Sequence, residues 1–263
     1  MKKNIIYAAI VVLAIIAFSL AMFYGTGYAA ARTLASYDNK PVPLSLLRML
    51  NVPDNLSNAI DMSGAQSLFI KTNNATPLAQ GGKPEILYIG AEYCPYCAAE
   101  RWALVVALLR FGNFTGLRLM TSSASDYSPS SPTFTFADAN YTSSYISFVS
   151  VETETNNGTA LQQPTQQEDH LFDMYDTGGS VPFLLMANNT YQVGANYDPY
   201  DVIYGKNWSA IASDLHNSST IQAQTIIGSA NLLTEQICAA DNYTPKSVCD
   251  QPYVSRIHKI LGK

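Results

Sequence analysis

Two cysteines with two residues between them, Cys94 and Cys97, lie where the sequence changes from a strand pattern to a helix pattern. The apolar run from Ile86 to Ile89 predicts a buried strand, and beyond Gly90 the apolar residues recur at helical spacing. Pro95 suits the first helical position, where a missing backbone N–H costs nothing. The sequence therefore predicts a dithiol at the start of a helix that follows a buried strand.

This position of the dithiol favours redox chemistry. Unpaired backbone N–H groups and the positive end of the helix dipole stabilise a thiolate at a helix start, so we expect Cys94 to be the nucleophile. Cys97 lies one helical turn further on, within reach of a disulfide with Cys94. We expect Cys97 to be the thiol that resolves mixed disulfides.

A static disulfide and half of a zinc site are the alternatives for this pair. A zinc knuckle needs a second pair of cysteines or histidines at short spacing. Cys238 and Cys249 stand in a separate region, and His170, His216 and His258 lie beside neither pair. We therefore predict no metal and no cofactor, although a Cys-x-x-Cys pair in a metal chaperone would bind a soft cation.

The segment Gly90-Ala-Glu-Tyr-Cys-Pro-Tyr-Cys97 resembles the active-site turn of the thioredoxin superfamily, and its Cys-Pro-Tyr-Cys tetrapeptide is typical of glutaredoxins. Further on, Val181-Pro182 opens an apolar strand and is similar to the superfamily's cis-proline loop, which faces the dithiol. The resemblance implies that Val181, Pro182, Pro95 and Tyr96 contact the extended backbone of a substrate. Taken alone, Pro182 would also fit an ordinary proline at a strand entry.

The whole chain resembles the thioredoxin-like domain-of-unknown-function family 929 of archaea and actinobacteria. It shares an N-terminal apolar segment, the dithiol segment with the Glu-Arg-Trp that follows it, and a late cysteine pair. One departure from thioredoxin is Tyr88, which stands where thioredoxin has a buried acid, six residues before the first cysteine. The resemblance implies an α/β, thioredoxin-like fold with an insertion between its first and second halves.

Four regions follow from these patterns. We predict a transmembrane anchor at 1–24, a spacer at 25–65, a thioredoxin-like domain at 66–218 with an insertion at about 122–163, and a helical C-terminal extension at 219–263. A short helix is expected near Leu44 to Leu50, within the spacer. We expect Leu117 to Thr121 to be the second strand of the core, and Tyr145 to Glu152 to belong to the insertion.

The second half of the domain has its own signals. Thr165 and Glu168 form a capping-box pattern that predicts a helix through Tyr175. Tyr191 to Val193 can pair with the strand after Pro182 as a hairpin, and Trp208 to Leu215 predicts the closing helix. The insertion is rich in aromatic residues, which would either form a peptide-binding wall or pack on one another: Tyr127, Phe134, Phe136, Tyr141 and Tyr145.

The N-terminal segment predicts the location of the protein. Ile5 to Tyr24 carries no charge and is long enough to cross a membrane as a helix. Lys2 and Lys3 should stay in the cytoplasm, which sends the remainder outside. A cleaved signal peptide with a site at Ala29 to Ala31 is the alternative, and both interpretations give an extracytoplasmic domain.

Sequons and composition agree with an exported chain. The nine Asn-x-Ser/Thr sites exceed the roughly three expected by chance; they are Asn55, Asn74, Asn113, Asn140, Asn157, Asn188, Asn207, Asn217 and Asn242. A net charge of −5 with no basic run argues against a nucleic-acid partner. Only 13% of residues are charged, so the charge of the surface would change little on acidification. An acidic external habitat is therefore a hypothesis.

Cys238 and Cys249 bracket a turn that contains Pro245. In an oxidising compartment we expect a structural disulfide between the two flanking helices, and a second redox pair that exchanges electrons with the Cys94/Cys97 dithiol is the alternative.

The function predicted is that of a membrane-anchored, extracytoplasmic thiol-disulfide oxidoreductase that forms, isomerises or reduces disulfides. Its expected partners are exported proteins that contain cysteines, and a membrane quinone-linked enzyme is a candidate redox partner. The sequence does not define the direction of electron flow. A non-catalytic, glycosylated surface or scaffold protein with a static Cys94–Cys97 disulfide is the alternative.

Overall fold

A computed structural model describes residues 12–19, 32–62, 64–73 and 76–262. These residues form a mixed α/β fold with one six-stranded sheet and two small two-stranded sheets. The strands are β1 (Ile70–Lys71), β2 (Ala79–Gln80), β3 (Lys83–Gly90), β4 (Gly112–Thr115), β5 (Arg118–Thr121), β6 (Pro132–Thr135), β7 (Asn140–Ser143), β8 (Ser147–Glu152), β9 (Phe183–Met186) and β10 (Thr190–Val193).

Helices cover both faces of the larger sheet. They are α1 (Leu44–Leu50), α2 (Asp54–Ala59), α3 (Pro95–Leu108), α4 (Gln166–Tyr175), α5 (Pro199–Val202), α6 (Trp208–Asp214), α7 (Gly228–Ala240), α8 (Lys246–Cys249) and α9 (Pro252–Ile260). A π-helical turn, Ala223–Ile227, leads into α7, and residues 12–19 are also helical. The predicted helices at Leu44–Leu50 and up to Tyr175 are confirmed, the second with the predicted capping box.

Strand β3 is the centre of the larger sheet. It runs parallel to β8 and antiparallel to β9, with Gly90 opposite Glu152 and Ile89 opposite Phe183. The predicted hairpin is present, since β10 pairs antiparallel with β9, and β1 pairs with β10 at the edge. The short β2 pairs only with the first two residues of β3.

The side chains of β3 alternate between two apolar layers. Ile86 and Tyr88 belong to the layer that contains α3, whereas Leu87 and Ile89 pack with Leu171 of α4 on the opposite face. A strand that is buried on both faces has an almost continuous apolar sequence. This explains why the strand was recognisable from its sequence.

Helix α3 is enclosed on nearly all sides. Of its 14 residues, all except Tyr96 are buried, because the helix packs between the sheet layer, β6 and α7. Trp102 donates a hydrogen bond to the Pro132 carbonyl at 2.7 Å and its ring packs on Phe134. The C-terminal helical region is therefore a layer of the fold rather than an appendage.

The predicted second strand of the core is wrong. Leu117 to Thr121 contributes β5, which pairs with β6 in a separate sheet, and the parallel neighbour of β3 is β8. Both segments are apolar and partly buried, so their sequences indicate burial without indicating a partner. Residues 109–146, between α3 and β8, contain the strands of the two small sheets, and the predicted insertion at about 122–163 overlaps this region.

The residues described within the predicted spacer, 32–62 and 64–65, include a segment that packs into the main core. Leu46, Leu50, Val52 and Ile60 are buried in the main core. The backbone N–H of Val42 donates to the Leu117 carbonyl at 2.9 Å, which ties this segment to β5. Short elements separated by prolines lack a long periodic pattern, so the burial of this segment was not visible in the sequence.

The predicted anchor at 1–24 and the alternative cleavage site at Ala29 to Ala31 lie largely outside the described residues, which include only 12–19 from this part of the chain. In the part of the chain that the structure covers, no helix has the length and apolar character needed to cross a membrane.

Candidate redox site

The dithiol lies where β3 passes into α3. Cys94 is the N-cap of the helix and Pro95 takes its first position, as predicted. The backbone N–H of Cys97 donates to the Cys94 sulfur with an N···S distance of 3.2 Å. Both thiols are free and buried, with Cys94 6% exposed and Cys97 fully buried.

The cis-proline segment meets the dithiol in the folded chain. The Val181–Pro182 peptide bond is cis, and the thiol of Cys94 lies 3.6 Å from the Val181 carbonyl oxygen. Val181 also packs on the apolar cluster formed by the two thiols and Ala91. The structure thus brings the 181–182 segment, distant in sequence, to the nucleophile candidate.

The two thiols have opposite pKa shifts. Hydrogen bonding from the Cys97 side chain is the main reason why the pKa of Cys94 is lowered, although burial opposes it. The Cys97 backbone N–H and the Arg101 guanidinium lower the pKa of Cys94 further. Burial, followed by the hydrogen bond and negative charge of Cys94, raises the pKa of Cys97 well above its ordinary value. A thiolate therefore forms first on Cys94.

A buried ion pair lies behind the dithiol. Arg101 and Glu152 are both fully buried, and the Arg101 Nε and Nη2 groups donate to the two Glu152 carboxylate oxygens at 2.8 and 2.5 Å. Arg101 Nη2 also donates to the Ala91 carbonyl at 2.7 Å, which ties the guanidinium to the dithiol turn. Because Glu152 ends β8 opposite Gly90, the sheet itself positions the pair.

Arg101 and Glu152 are functional candidates that the sequence patterns missed. Arg101 lies four residues after Cys97, and residues at this spacing share a helix face. Two adjacent charged residues, Glu100 and Arg101, in a mostly apolar helix were the available signal. Its partner, 51 residues further on, could not be identified without the fold.

Tyr88, six residues before Cys94, packs in the apolar layer that contains α3. It is fully buried, and burial raises its pKa well above the ordinary value. Its hydroxyl has no hydrogen-bond partner among the described residues, and its ring lies 5.9 Å from the Arg101 guanidinium. A carbon placed on Gly90 would lie 2.1 Å from the Tyr88 hydroxyl oxygen, so the turn requires glycine there.

An open pocket of about 650 Å³, lined mostly by residues of polar type, includes Tyr93, the residue before Cys94. Tyr93, the serine-rich loop at 121–126 and Glu154 line it. The described residues contain no group of three or more histidine, cysteine or acidic side chains placed to hold a metal.

The second cysteine pair forms a disulfide. Cys238 and Cys249 are joined with a Cα–Cα distance of 5.6 Å, and both are buried. The bond links α7 to the end of α8.

Replacing both of these cysteines in the Cys238→Ala/Cys249→Ala variant is expected to lower the free energy of unfolding by about 2 to 4 kcal/mol, because the unfolded chain loses a closed loop. Urea denaturation measures this change. The alkylation rate of reduced Cys94 should stay that of the unaltered protein. A slower oxidation of the dithiol in the variant would instead assign the disulfide to electron transfer.

The structure separates the sequons by exposure. Seven of the asparagines are exposed and accessible to a glycan: Asn55, Asn113, Asn140, Asn157, Asn207, Asn217 and Asn242. Asn188 is buried, donates to the Thr76 carbonyl and accepts from the Tyr175 hydroxyl, so a glycan on it is incompatible with this fold. Asn74 lies outside the described residues.

Part of the chain matches a known protein family. Residues 69–173, less than half of the chain, match a family described as "Domain of unknown function (DUF929)". This segment contains the dithiol, Arg101 and Glu152, and ends before Pro182. No curated protein and no solved structure matches the chain significantly. The match supports the resemblance to that family and assigns no activity.

Proposed function

We propose that this protein is a thiol-disulfide oxidoreductase that uses the Cys94/Cys97 dithiol. The observation that carries the proposal is the asymmetry of the pair: Cys94 caps the helix with a lowered pKa, and Cys97 lies behind it with a raised one. A nucleophile that ionises first and a protonated resolving thiol are what sequential disulfide exchange requires.

The proposed reaction has two balanced steps. The Cys94 thiolate attacks a substrate disulfide, so that a mixed disulfide forms and the other substrate sulfur leaves with the electron pair and takes a proton. Cys97 then attacks the Cys94 sulfur and gives its proton to the departing substrate thiolate. Two electrons thus pass to the substrate, and the reverse sequence oxidises a substrate dithiol.

A thioredoxin-like core is part of the proposal. Its support is the order of elements: a parallel pair, β3 and β8, around the dithiol helix, followed by the helix α4, the β9–β10 hairpin and further helices. The position of the Val181 carbonyl oxygen, 3.6 Å from the Cys94 thiol, fits the substrate-binding role implied for Val181 and Pro182. Pro95 and the exposed Tyr96 would complete that surface.

The proposal includes an extracytoplasmic location and a membrane anchor. The positive N-terminus, the uncharged segment after it and the seven exposed sequons support it. In such a compartment, exported proteins with cysteines are the substrates, and a membrane quinone-linked enzyme would reoxidise the dithiol if the protein forms disulfides.

The Cys97→Ser variant of the full chain in detergent tests the proposal. Mixed with disulfide-containing proteins, it is expected to accumulate a mixed disulfide on Cys94, because the resolving thiol is missing. The Cys94→Ser variant should accumulate none. Non-reducing electrophoresis and mass spectrometry identify the adduct.

A redox titration of the unaltered dithiol against glutathione distinguishes the oxidoreductase from the alternative, a non-catalytic scaffold protein with a static Cys94–Cys97 disulfide. A potential between about −120 and −270 mV fits a catalytic pair. A bond that stays oxidised below about −300 mV, together with no trapped adduct, would support the non-catalytic scaffold protein and overturn the oxidoreductase.

A further inference from the structure

Four tyrosine rings form a continuous row of ring contacts that starts in the dithiol turn. Tyr96 stacks on Tyr127 at 6.4 Å between ring centroids, Tyr127 contacts Tyr200 at 5.6 Å, and Tyr200 stacks on Tyr204 at 4.7 Å. These four residues, called the tyrosine ladder here, come from α3, the loop after β5, and α5 with the residues that follow it. The ladder is therefore built only in the folded chain.

The ladder lies on the surface. Its members are 40%, 55%, 48% and 39% exposed, in order from Tyr96 to Tyr204. By contrast, Phe134 and Phe136 of the inserted segment are buried in the core, so packing accounts for them and not for Tyr127. An exposed aromatic patch of this kind marks an interaction surface.

Carboxylates surround the ladder. The Tyr127 hydroxyl donates to Asp198 at 3.4 Å, and the Tyr200 backbone N–H donates to the same side chain at 2.9 Å. Burial first, and then the charge of Asp198, raises the pKa of both Tyr96 and Tyr127, with Asp126 also near Tyr96 and Asp201 near Tyr127. The electronegative ring faces and these acids together form a site that attracts cations.

Cations of the chain itself bind other rings. Lys40 contacts the ring of Tyr37, Arg101 contacts that of Tyr88, and Arg110 contacts that of Tyr253. Because Tyr96 is separated from Cys94 by one residue, a chain bound along the ladder would continue directly to the nucleophile.

We propose that the tyrosine ladder binds an extended substrate segment that carries lysine or arginine close to the reacting cysteine. This proposal rests on the proposed oxidoreductase function and names its preferred substrate class. The three ring-to-ring distances together equal the length of about five residues of extended chain, at about 3.3 Å each. Basic residues within about five positions of the reacting cysteine would therefore reach the ladder. A neutral aromatic segment would contact the rings but would leave the carboxylates around the ladder without a cation.

Model peptides test the proposal on the full-length Cys97→Ser chain. Each peptide carries one cysteine activated as a mixed disulfide with 2-mercaptoethanol, and either two arginines, two citrullines or two glutamates within five residues on either side. Citrulline keeps the shape of arginine and removes its charge. The rate at which Cys94 becomes linked to each peptide is measured by mass spectrometry, and hydroxyethyl disulfide gives the basal reactivity.

The arginine peptides are expected to react about 5- to 30-fold faster than the citrulline peptides, from two exposed cation–ring contacts. The preference should shrink at high salt. The variants Tyr127→Ala and Tyr200→Ala should each lose most of the preference for arginine over citrulline peptides. Their rate with hydroxyethyl disulfide should stay unchanged. The matched control, Tyr145→Ala, replaces an exposed tyrosine outside the ladder and should keep the preference.

The experiment distinguishes failure of the ladder proposal from failure of the proposed oxidoreductase function. Equal rates for arginine and citrulline, or a preference that survives in both ladder variants, would overturn the ladder proposal while normal reaction with hydroxyethyl disulfide upholds the oxidoreductase. If a citrulline peptide enriched in tryptophan reacts faster than the arginine peptide, the ladder binds a neutral aromatic segment, and the ladder proposal is also overturned. No reaction of Cys94 with hydroxyethyl disulfide would contradict the oxidoreductase, and the ladder proposal with it.

Discussion

Replacing Arg101 with methionine is expected to lower the free energy of unfolding by about 3 to 5 kcal/mol, since it leaves the fully buried Glu152 carboxylate without its cation. The Arg101 guanidinium also donates a hydrogen bond to the Ala91 carbonyl, and the dithiol turn loses this bond in the variant. Urea denaturation followed by circular dichroism measures the loss.

The Arg101→Met/Glu152→Gln variant separates the charge from the packing. Removing both charges of a buried pair is commonly far less costly than removing one. The double variant should therefore recover most of the lost free energy of unfolding. If it is no more stable than Arg101→Met alone, the loss comes from packing, and the unpaired Glu152 is not its cause.

The double variant should nevertheless remain altered at the thiols. The Arg101 charge lowers the pKa of Cys94, so without it the pH midpoint of Cys94 alkylation should move upward. The hydrogen bond from Cys97 has the larger influence on that pKa, and Cys97→Ala should move the midpoint further. An unchanged midpoint in a stable double variant would show that the ion pair serves stability alone.

The dithiol segment was predictable because its signals are local. Gly90 and Pro95 mark the end of the strand and the start of the helix, and the capping box at Thr165 marks another helix start in the same way. Each signal acts through the few residues next to it. Local chemistry of this kind does not depend on which elements meet later.

Pairing between distant segments was not predictable to the same degree. The segments at β5 and β8 have similar apolar character, and what distinguishes them is a six-residue parallel register with β3, from Glu85 opposite Ser147 to Gly90 opposite Glu152. A register is a property of two segments together.

Buried charge was the other gap in the prediction. Arginine and glutamate are almost never fully buried unless they are paired, so sequence patterns assign them to the surface. Arg101 and Glu152 are fully buried as an ion pair, which no local pattern indicates. The tyrosine ladder was missed similarly, since Tyr96, Tyr127 and Tyr200 lie far apart in sequence and the wall predicted for the insertion included only one of them.

The second large effect expected is a rise in stability on acidification, caused mainly by Glu100. This side chain is fully buried in α3, where burial raises its pKa from 4.5 to about 7. The backbone N–H of Asn196 donates to one of its oxygens at 3.2 Å, and the other has no hydrogen-bond partner among the described residues. The fold therefore favours the protonated, neutral form.

The folded protein binds this proton more tightly than the unfolded chain does. The stabilising contribution of Glu100, about 3 kcal/mol, is thus complete below about pH 4.5 and is lost as the pH rises through about 7. Asp38, whose pKa burial raises to about 6, and Glu92, whose pKa burial also raises, act in the same direction. These shifts agree with the hypothesis of an acidic external habitat.

The Glu100→Gln variant tests this account, because glutamine has nearly the same shape as the protonated side chain and does not ionise. Its free energy of unfolding should match that of the unaltered protein at pH 4.5 and exceed it by up to about 3 kcal/mol at pH 7.5. The control Asp173→Asn removes one carboxylate from an exposed position and should keep the original pH dependence. If Glu100→Gln loses stability equally at both pH values, the carboxyl group is needed for its hydrogen bonds, and its ionisation does not govern the pH dependence.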